Sequence, residues 1–215
     1  MIIKVCGLRE PDNIREVLQA GVDWIGMVFH EESPRNVTMI PTHAGIIPDR
    51  GKQLVEKHQT VQRVGVFTDE MPQNIITRVV NFALDIVQLD GNETPTLVSN
   101  LKATLVPDIQ PLVRMMKSIT IASPEDIACC KPYVGCIDLF RFVLTDIKLL
   151  PLLGGYDCRQ PFLIAGPRTM VDVAALRSFR HPQFLGVDLD EGFETAPAVK
   201  DVARLRNFIK ELRSQ

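Results

Sequence analysis

The sequence has no long apolar run and no concentration of basic residues. None of its hydrophobic stretches approaches the roughly 20 residues that a membrane-spanning helix needs, so we expect no membrane partner. Its 24 lysines and arginines are dispersed among 26 acidic residues, and the net charge of −2 argues against a nucleic-acid partner. The first ten residues resemble a strand and not a signal peptide, which favours a cytoplasmic protein.

Cysteine and histidine are scarce and poorly arranged for a metal. The five cysteines fit no zinc spacing, and the four histidines form neither a metal-binding nor a catalytic pattern. The sequence therefore predicts reduced thiols and no metal site. Low-complexity tracts and repeats longer than one strand and one helix are also lacking.

Short apolar runs instead alternate with helical segments along the chain. Eight runs have the near-continuous hydrophobicity of buried parallel strands, at 2–6, 24–28, 63–67, 86–89, 115–121, 136–142, 162–165 and 184–187. Amphipathic stretches occupy 12–20, 73–82, 124–131, 169–179 and 200–212. This alternation predicts an α/β fold, a single (β/α)8 TIM barrel domain over residues 1–215, with a doubly wound open sheet as the alternative.

Two segments depart from the regular alternation. Residues 31–62 are long for one loop and one helix, whereas residues 144–160 are short for the same task and contain Pro151 and Gly154-Gly155. We therefore predict that the sixth βα unit is shortened.

In such a barrel the reactive groups lie at the C-terminal ends of the strands. That rule selects Cys6, Arg35, Asp90, Gly166, Asp188 and the turn Asp190-Glu191-Gly192. Each also has a plain structural interpretation, as a buried thiol, a solvated arginine, a turn or a capping aspartate.

Several segments together resemble the phosphoribosylanthranilate isomerase family of tryptophan biosynthesis. They occur in order over nearly the whole chain, and they include Lys4-Val5-Cys6-Gly7, Ser33-Pro34-Arg35, Val87-Gln88-Leu89-Asp90-Gly91, Gly186-Val187-Asp188 and Gly192-Phe193-Glu194-Thr195.

The resemblance implies an Amadori rearrangement of a phosphosugar, N-(5'-phosphoribosyl)anthranilate, without a cofactor. A general acid protonates the ribose ring oxygen, and a general base removes the proton from C2. By resemblance Cys6 is the base, and the protein is a monomer or a homodimer. The implied substrate-binding residues are Arg35, Asp90 and Asp188, and the implied phosphate-binding residues are Gly166 and Gly192.

This sequence departs from the family pattern at the acid and the phosphate site. Val143 stands where the family has its acidic aspartate, which leaves Asp146 as a possible substitute. The glycine-rich loop after the sixth strand is missing, and Pro167 has no N–H to donate to a phosphate. Asp190 and Glu191 replace small polar residues and are expected to repel a phosphate.

Two alternatives to the isomerase therefore stay open. One is a catalytically silent relative that binds another small ligand or a protein partner at the same strand ends. The other is a different phosphosugar isomerase or lyase, which requires a lysine at the mouth, and Lys117 is the candidate.

Overall fold

The structure, a computed structural model, describes residues 1–38, 61–166 and 172–214. Its main strands are β1 Ile2–Val5, β2 Trp24–Val28, β3 Gln62–Phe67, β4 Ile86–Leu89, β5 Arg114–Ile121, β6 Leu139–Leu144, β7 Phe162–Ala165 and β8 Phe184–Leu189. These eight parallel strands pair in sequence order into a closed barrel, and β8 closes onto β1 with Val5 aligned to Leu189. The predicted barrel is thereby confirmed, and the open sheet is excluded.

Helical segments connect the strands on the outside of the barrel. The α-helices are α1 Pro11–Gln19, α2 Pro72–Phe82, α3 Pro95–Asp108, α4 Val173–Ser178 and α5 Val202–Arg213. Stretches of 3₁₀ helix lie at Pro124–Tyr133, Ile147–Gly155 and Glu191–Phe193. A hairpin of β9 (Glu194–Ala196) and β10 (Val199–Lys200) precedes α5.

The helices begin where the local chemistry favours a helix start. Proline occupies the first position of α1, α2 and α3, where a missing N–H costs nothing. The side chains of Thr94 and Asp201 cap α3 and α5 by accepting hydrogen bonds from Leu97 N and Arg204 N. The helices predicted at 12–20, 73–82 and 200–212 are confirmed, whereas 169–179 is helical only from Val173 and its residues 169–171 lie outside the described ranges.

The fifth and sixth units are irregular. The helix predicted at 124–131 forms as 3₁₀ turns, which begin at a capping box between Ser123 and Asp126. In the sixth unit only the 3₁₀ turns of Ile147–Gly155 stand where a helix is usual, which confirms the predicted shortening. Pro132 and Pro151 lie inside these segments, and a proline cannot donate the hydrogen bond that a longer helix requires.

The interior of the barrel has an apolar floor below a polar layer. The floor lies toward the N-terminal ends of the strands and consists of Trp24, Val64, Ile86, Met116, Leu139 and Leu163. Above it the inward side chains of β1, β4, β6 and β8 are polar, and they include Lys4, Gln88, Arg141 and Asp188. Polar groups are costly to bury in a core, so this layer marks the end of the barrel where a site is to be sought.

Residues 39–60, with His43 and His58, and residues 167–171, with Pro167, lie outside the described ranges. Among the described residues, no helix has the length and apolar character to cross a membrane.

Candidate active site at the barrel mouth

An ion-pair cluster lies on the barrel axis just below the C-terminal ends of the strands. One oxygen of Asp188, Oδ2, accepts hydrogen bonds from Lys4 Nζ at 2.8 Å and from Arg141 Nε at 2.5 Å. The other oxygen, Oδ1, is buried and has no hydrogen-bond partner among the described residues. The name axial cluster is used here for Lys4, Arg141, Asp188 and Asp90. The position of Asp90 is described next.

Asp90 extends the axial cluster to the opposite wall of the barrel. It follows β4, and its carboxylate accepts hydrogen bonds from Gln88 Nε2 at 2.8 Å and from Ser118 Oγ. Its Oδ2 lies 3.8 Å from Arg141 Nη1, so the guanidinium reaches from Asp188 on β8 to Asp90 on the far side. About a quarter of the Asp90 side chain is exposed, which places it at the open mouth.

Charge compensation keeps both cations of the axial cluster protonated. Burial lowers the pKa of Lys4, but the neighbouring Asp188 carboxylate more than offsets this, and the pKa stays above its usual value. The same carboxylate, with Asp90, raises the pKa of Arg141 despite its burial. Lys4 and Arg141 therefore act as fixed positive charges and not as proton donors.

Cys6 follows β1 and is almost completely buried beside this cluster. Gly26 on β2 makes room for it, because a Cβ at that position would come within 2.8 Å of Cys6 Sγ. Burial raises the pKa of Cys6 to about 12, although Lys4 opposes the shift. With this pKa the group is a thiol at neutral pH.

A second group of charges forms the rim of the mouth next to β1 and β8. Arg35 binds Glu194 through two hydrogen bonds, from Nε at 2.8 Å and from Nη2 at 2.6 Å. Lys200 Nζ, which is buried, donates to Glu194 at 2.8 Å and to Asp190 at 3.2 Å. Glu191 lies 3.3 Å from Arg35 Nη2. The name rim cluster is used here for Arg35, Asp190, Glu191, Glu194 and Lys200.

The negative charges of Asp190 and Glu191 are therefore compensated by neighbouring cations. Burial raises the pKa of Asp190, but Lys200, Arg141 and Arg35 outweigh it, and the pKa falls below its usual value. Both carboxylates lie against Arg35, so much of the repulsion that the sequence predicted toward a phosphate is neutralised within the rim cluster.

The position expected to carry an acid holds none. Val143 shares the inward face of β6 with Arg141, two residues before it. Asp146 caps the 3₁₀ turns at Ile147–Gly155, and its Oδ1 accepts a hydrogen bond from Lys148 N at 2.9 Å. The role of Asp146 as a substitute acid stays a prediction, and this engagement gives it no support.

Lys117 does not lie at the mouth. Its ammonium is buried and donates to Glu93 Oε2 at 2.9 Å and to the carbonyl oxygen of Gly91 at 2.6 Å. Since Met116 belongs to the floor inside the barrel, its neighbour Lys117 faces outward. The alternative isomerase or lyase thus lacks the lysine on which it depended.

The two glycines expected to contact phosphate lie beyond the C-terminal ends of their strands. Gly166 directly follows β7, and Gly192 lies in the 3₁₀ turn that joins β8 to the hairpin. Neither has a tested role, and their assignment as phosphate-binding residues remains a prediction.

Sequence reasoning missed four charged residues of this site, Lys4, Arg141, Glu194 and Lys200. Arg141 had a usable signal, because an arginine inside an otherwise apolar parallel strand requires a buried partner. Glu194 and Lys200 come from a hairpin whose two short strands give little periodicity to detect.

Comparison with known proteins identifies relatives along the whole chain. Residues 3–125 match the family described as N-(5'-phosphoribosyl)anthranilate (PRA) isomerase. The N-(5'-phosphoribosyl)anthranilate isomerase of Parabacteroides distasonis is 35% identical over 224 residues, which cover 99% of this chain and 93% of that protein. The isomerase of the same name from Phocaeicola vulgatus is also 35% identical, over 100% of this chain and 99% of that protein.

Solved structures share the fold. A monomeric form of the dimeric phosphoribosylanthranilate isomerase from Thermotoga maritima superposes with a TM-score of 0.73 at 24% identity, and 99% of each chain is covered. A phosphoribosylanthranilate isomerase in complex with reduced 1-(o-carboxyphenylamino)-1-deoxyribulose 5-phosphate has a TM-score of 0.70, also at 24% identity and 99% coverage of each chain.

Proposed function

The chain belongs to the N-(5'-phosphoribosyl)anthranilate isomerase family, and we propose that it catalyses that family's reaction in tryptophan biosynthesis. The substrate is N-(5'-phosphoribosyl)anthranilate, whose ribose ring opens and rearranges to an aminodeoxyribulose phosphate. The observation that carries the proposal is the thiol of Cys6, which follows β1 beside the axial cluster in a chain that matches these isomerases over its length.

We assign two consecutive tasks to Cys6. Its thiol gives a proton to the ribose ring oxygen while the bond from that oxygen to C1 breaks and the anthranilate nitrogen forms a C=N double bond with C1. The resulting thiolate, whose conjugate acid has a pKa of about 12, is a strong base and removes the proton from C2. The thiol is restored, and the enolamine then tautomerises to the ketone.

Anionic parts of the substrate are assigned to the rim. Arg35 uses Nε and Nη2 for Glu194, and within the described residues its Nη1 donates no hydrogen bond. We propose that this Nη1 binds the anthranilate carboxylate, and that the N–H groups near Gly166 and Gly192 bind the phosphate. In this proposal Asp90 and Asp188 contribute as members of the axial cluster.

Turnover of freshly prepared N-(5'-phosphoribosyl)anthranilate, followed by the loss of its fluorescence, tests the function directly. The Parabacteroides distasonis relative serves as the active control. Turnover above the spontaneous rate is the expected result. A folded protein that binds the reduced product analogue and gives no turnover contradicts the proposal, and it favours the silent relative.

The resting thiol has a consequence for the pH profile. Because the active form of Cys6 is protonated and its pKa is about 12, we expect kcat/KM to change by less than about twofold between pH 6.5 and 9. A resting thiolate base of the same pKa gives instead a rise of about tenfold per pH unit.

The pH measurement is informative only if proton transfer limits the rate. Substrate deuterated at C2 provides this control, since a kinetic isotope effect shows that the step at C2 is being observed. A steep alkaline rise together with an isotope effect refutes the assignment of a proton-donating thiol.

Gly26→Ala is expected to lower kcat by about tenfold or more, because the new Cβ displaces Cys6 Sγ and misplaces the reacting group. Gly135→Ala is the matched control, since a Cβ there meets no atom within 4 Å. Equal kcat values for the two variants contradict the proposed position of the thiol in the reaction.

A further inference from the structure

The guanidinium of Arg141 has unused hydrogen-bond donors in the middle of the mouth. Arginine carries five N–H donors, and in Arg141 the Nε–H is taken by Asp188. Its Nη1 lies 3.8 Å from Asp90, beyond hydrogen-bond distance, and its Nη atoms donate no hydrogen bond to any described residue. About a tenth of the side chain is exposed, which leaves these atoms accessible from the mouth.

The location of Arg141 is fixed from two sides. On β6 it lies between Leu139 of the floor and Val143, and its Nη1 approaches Asp90, which follows β4 at the mouth. At the other end its Nε is held by Asp188, which Lys4 also anchors. The remaining donors are therefore preorganised, and they need no rearrangement to receive an anionic group.

The same guanidinium is linked through the carboxylate of Asp188 to Lys4, which lies two residues before the reacting thiol of Cys6. Arg141 and Lys4 are the two cations whose charges act on Cys6 and oppose the effect of its burial. A substrate atom that takes a proton from Cys6 is therefore within the field of Arg141.

We propose that Arg141 donates hydrogen bonds to the ribose ring oxygen and stabilises the negative charge that develops there as the ring opens. The inference rests on the proposed isomerase function. The electron pair of the C1–O bond moves to the oxygen, and the proton that this oxygen finally gains comes from Cys6. Arg141 gives up no proton, so its charge is the same before and after the step.

This arrangement accounts for the absence of an acid at Val143. A carboxyl group at that position would face Arg141, lose its proton to the favourable charge pair and be unable to act as an acid. Arg141 and a carboxylic acid at 143 are thus alternative solutions to the same step, and they are incompatible with each other.

Four proteins test the proposal through kcat: the wild type, Arg141→Leu, Val143→Asp and the double variant. We expect Arg141→Leu to lower kcat by about 10²–10³-fold, as removal of a preorganised donor does elsewhere. Val143→Asp alone is expected to lower kcat about tenfold, whereas the double variant is expected to recover at least tenfold over Arg141→Leu. Arg114→Leu, at the opposite end of the barrel, is the matched control with unchanged kcat.

A structural role for Arg141 predicts a different pattern, in which the double variant is no better than Arg141→Leu, and that result overturns the proposal. Thermal unfolding of each variant shows whether it is folded. Binding of the reduced product analogue gives a readout without turnover, and we expect its Kd to rise about tenfold in Arg141→Leu. If the wild type gives no turnover but Arg141→Leu weakens binding of the analogue, the proposed isomerase function is wrong and the contact between Arg141 and the ligand is supported. If the Kd of the analogue is the same in Arg141→Leu and in the wild type, the proposed contact is wrong.

Discussion

Replacing Cys6 by alanine is expected to reduce kcat by at least about a thousandfold while the barrel stays folded. In the proposed reaction Cys6 both donates the proton to the ring oxygen and removes the proton from C2, and positioned proton transfer contributes about 10²–10⁴-fold per task. The substitution removes one buried sulfur atom, for which we expect a loss of about 1 kcal/mol in the free energy of unfolding. Stopped-flow or continuous fluorescence assays measure the rate, and urea unfolding measures the stability.

Cys136→Ala is the matched control for this experiment. Cys136 is buried as well, but its thiol donates to the carbonyl oxygen of Tyr133 on the outside of the barrel. We expect a similar small loss of stability and unchanged kcat. Cys6→Ala with a kcat within tenfold of the wild type would remove Cys6 from the mechanism, and it would direct attention to Asp90 and Asp190.

The barrel could be predicted because its strands follow a simple physical pattern. Strands buried on both faces are nearly continuous in apolar residues. For this reason the predicted first and last residues match the structure for Trp24–Val28, Ile86–Leu89 and Phe162–Ala165. The sixth strand was placed at 136–142, but β6 begins at Leu139. Cys136 and Ile137 are buried in the turn before it, and a buried turn residue resembles a strand residue in the sequence.

Helix α3 could not be identified from periodicity. Its buried residues Val98, Leu101 and Leu105 follow helical spacing, but the apolar residues Leu97 and Val106 lie outside this stripe and weaken the contrast between the two faces. Thr94 followed by Pro95 was the usable signal, since a capping residue before a proline is typical of a helix start.

The site was only partly predictable, because its chemistry depends on pairs that are distant in the sequence. Cys6, Arg35, Asp90 and Asp188 were selected by the rule that reactive groups follow strands, and all four lie at the mouth. Which of them is charged, and which is already paired, depends on partners such as Arg141, 47 residues from Asp188 in the chain. No local pattern contains that information.

The same limitation affected the acidic turn. Read alone, Asp190 and Glu191 suggest repulsion of a phosphate, but the rim cluster compensates them with Arg35 and Lys200. Lys200 is the last residue of the hairpin, and the pairing of β10 with β9 brings its ammonium back to the carboxylate of Asp190. The electrostatics of the mouth are thus determined by tertiary structure and not by the composition of one loop.

Asp188→Asn is expected to lower the free energy of unfolding by about 3–5 kcal/mol at pH 7, because it leaves Lys4 and Arg141 buried without their shared carboxylate. Chemical unfolding in urea measures the loss. Asp12→Asn is the control for the same substitution in an exposed pair with Arg15, and we expect a change below about 1 kcal/mol there.

The pH dependence distinguishes loss of the ion pair from a local packing defect. In the wild type the pKa of Lys4 lies above its ordinary value of 10.5, so its contribution to stability is fully present below that pH and is lost only above it. Without Asp188, burial lowers the pKa of Lys4, so the unfolded state binds more protons and stability rises with pH, by up to about 1.4 kcal/mol per unit. Above about pH 9 both proteins should lose stability, because the pKa of Cys6 is raised from 9.0 to about 12 in the folded state. This loss is common to both, so the deficit of Asp188→Asn relative to the wild type should shrink between pH 7 and 10. If the difference in the free energy of unfolding between the wild type and Asp188→Asn stays constant over this range, Asp188 does not stabilise the charged form of Lys4. The loss in Asp188→Asn is then a packing defect.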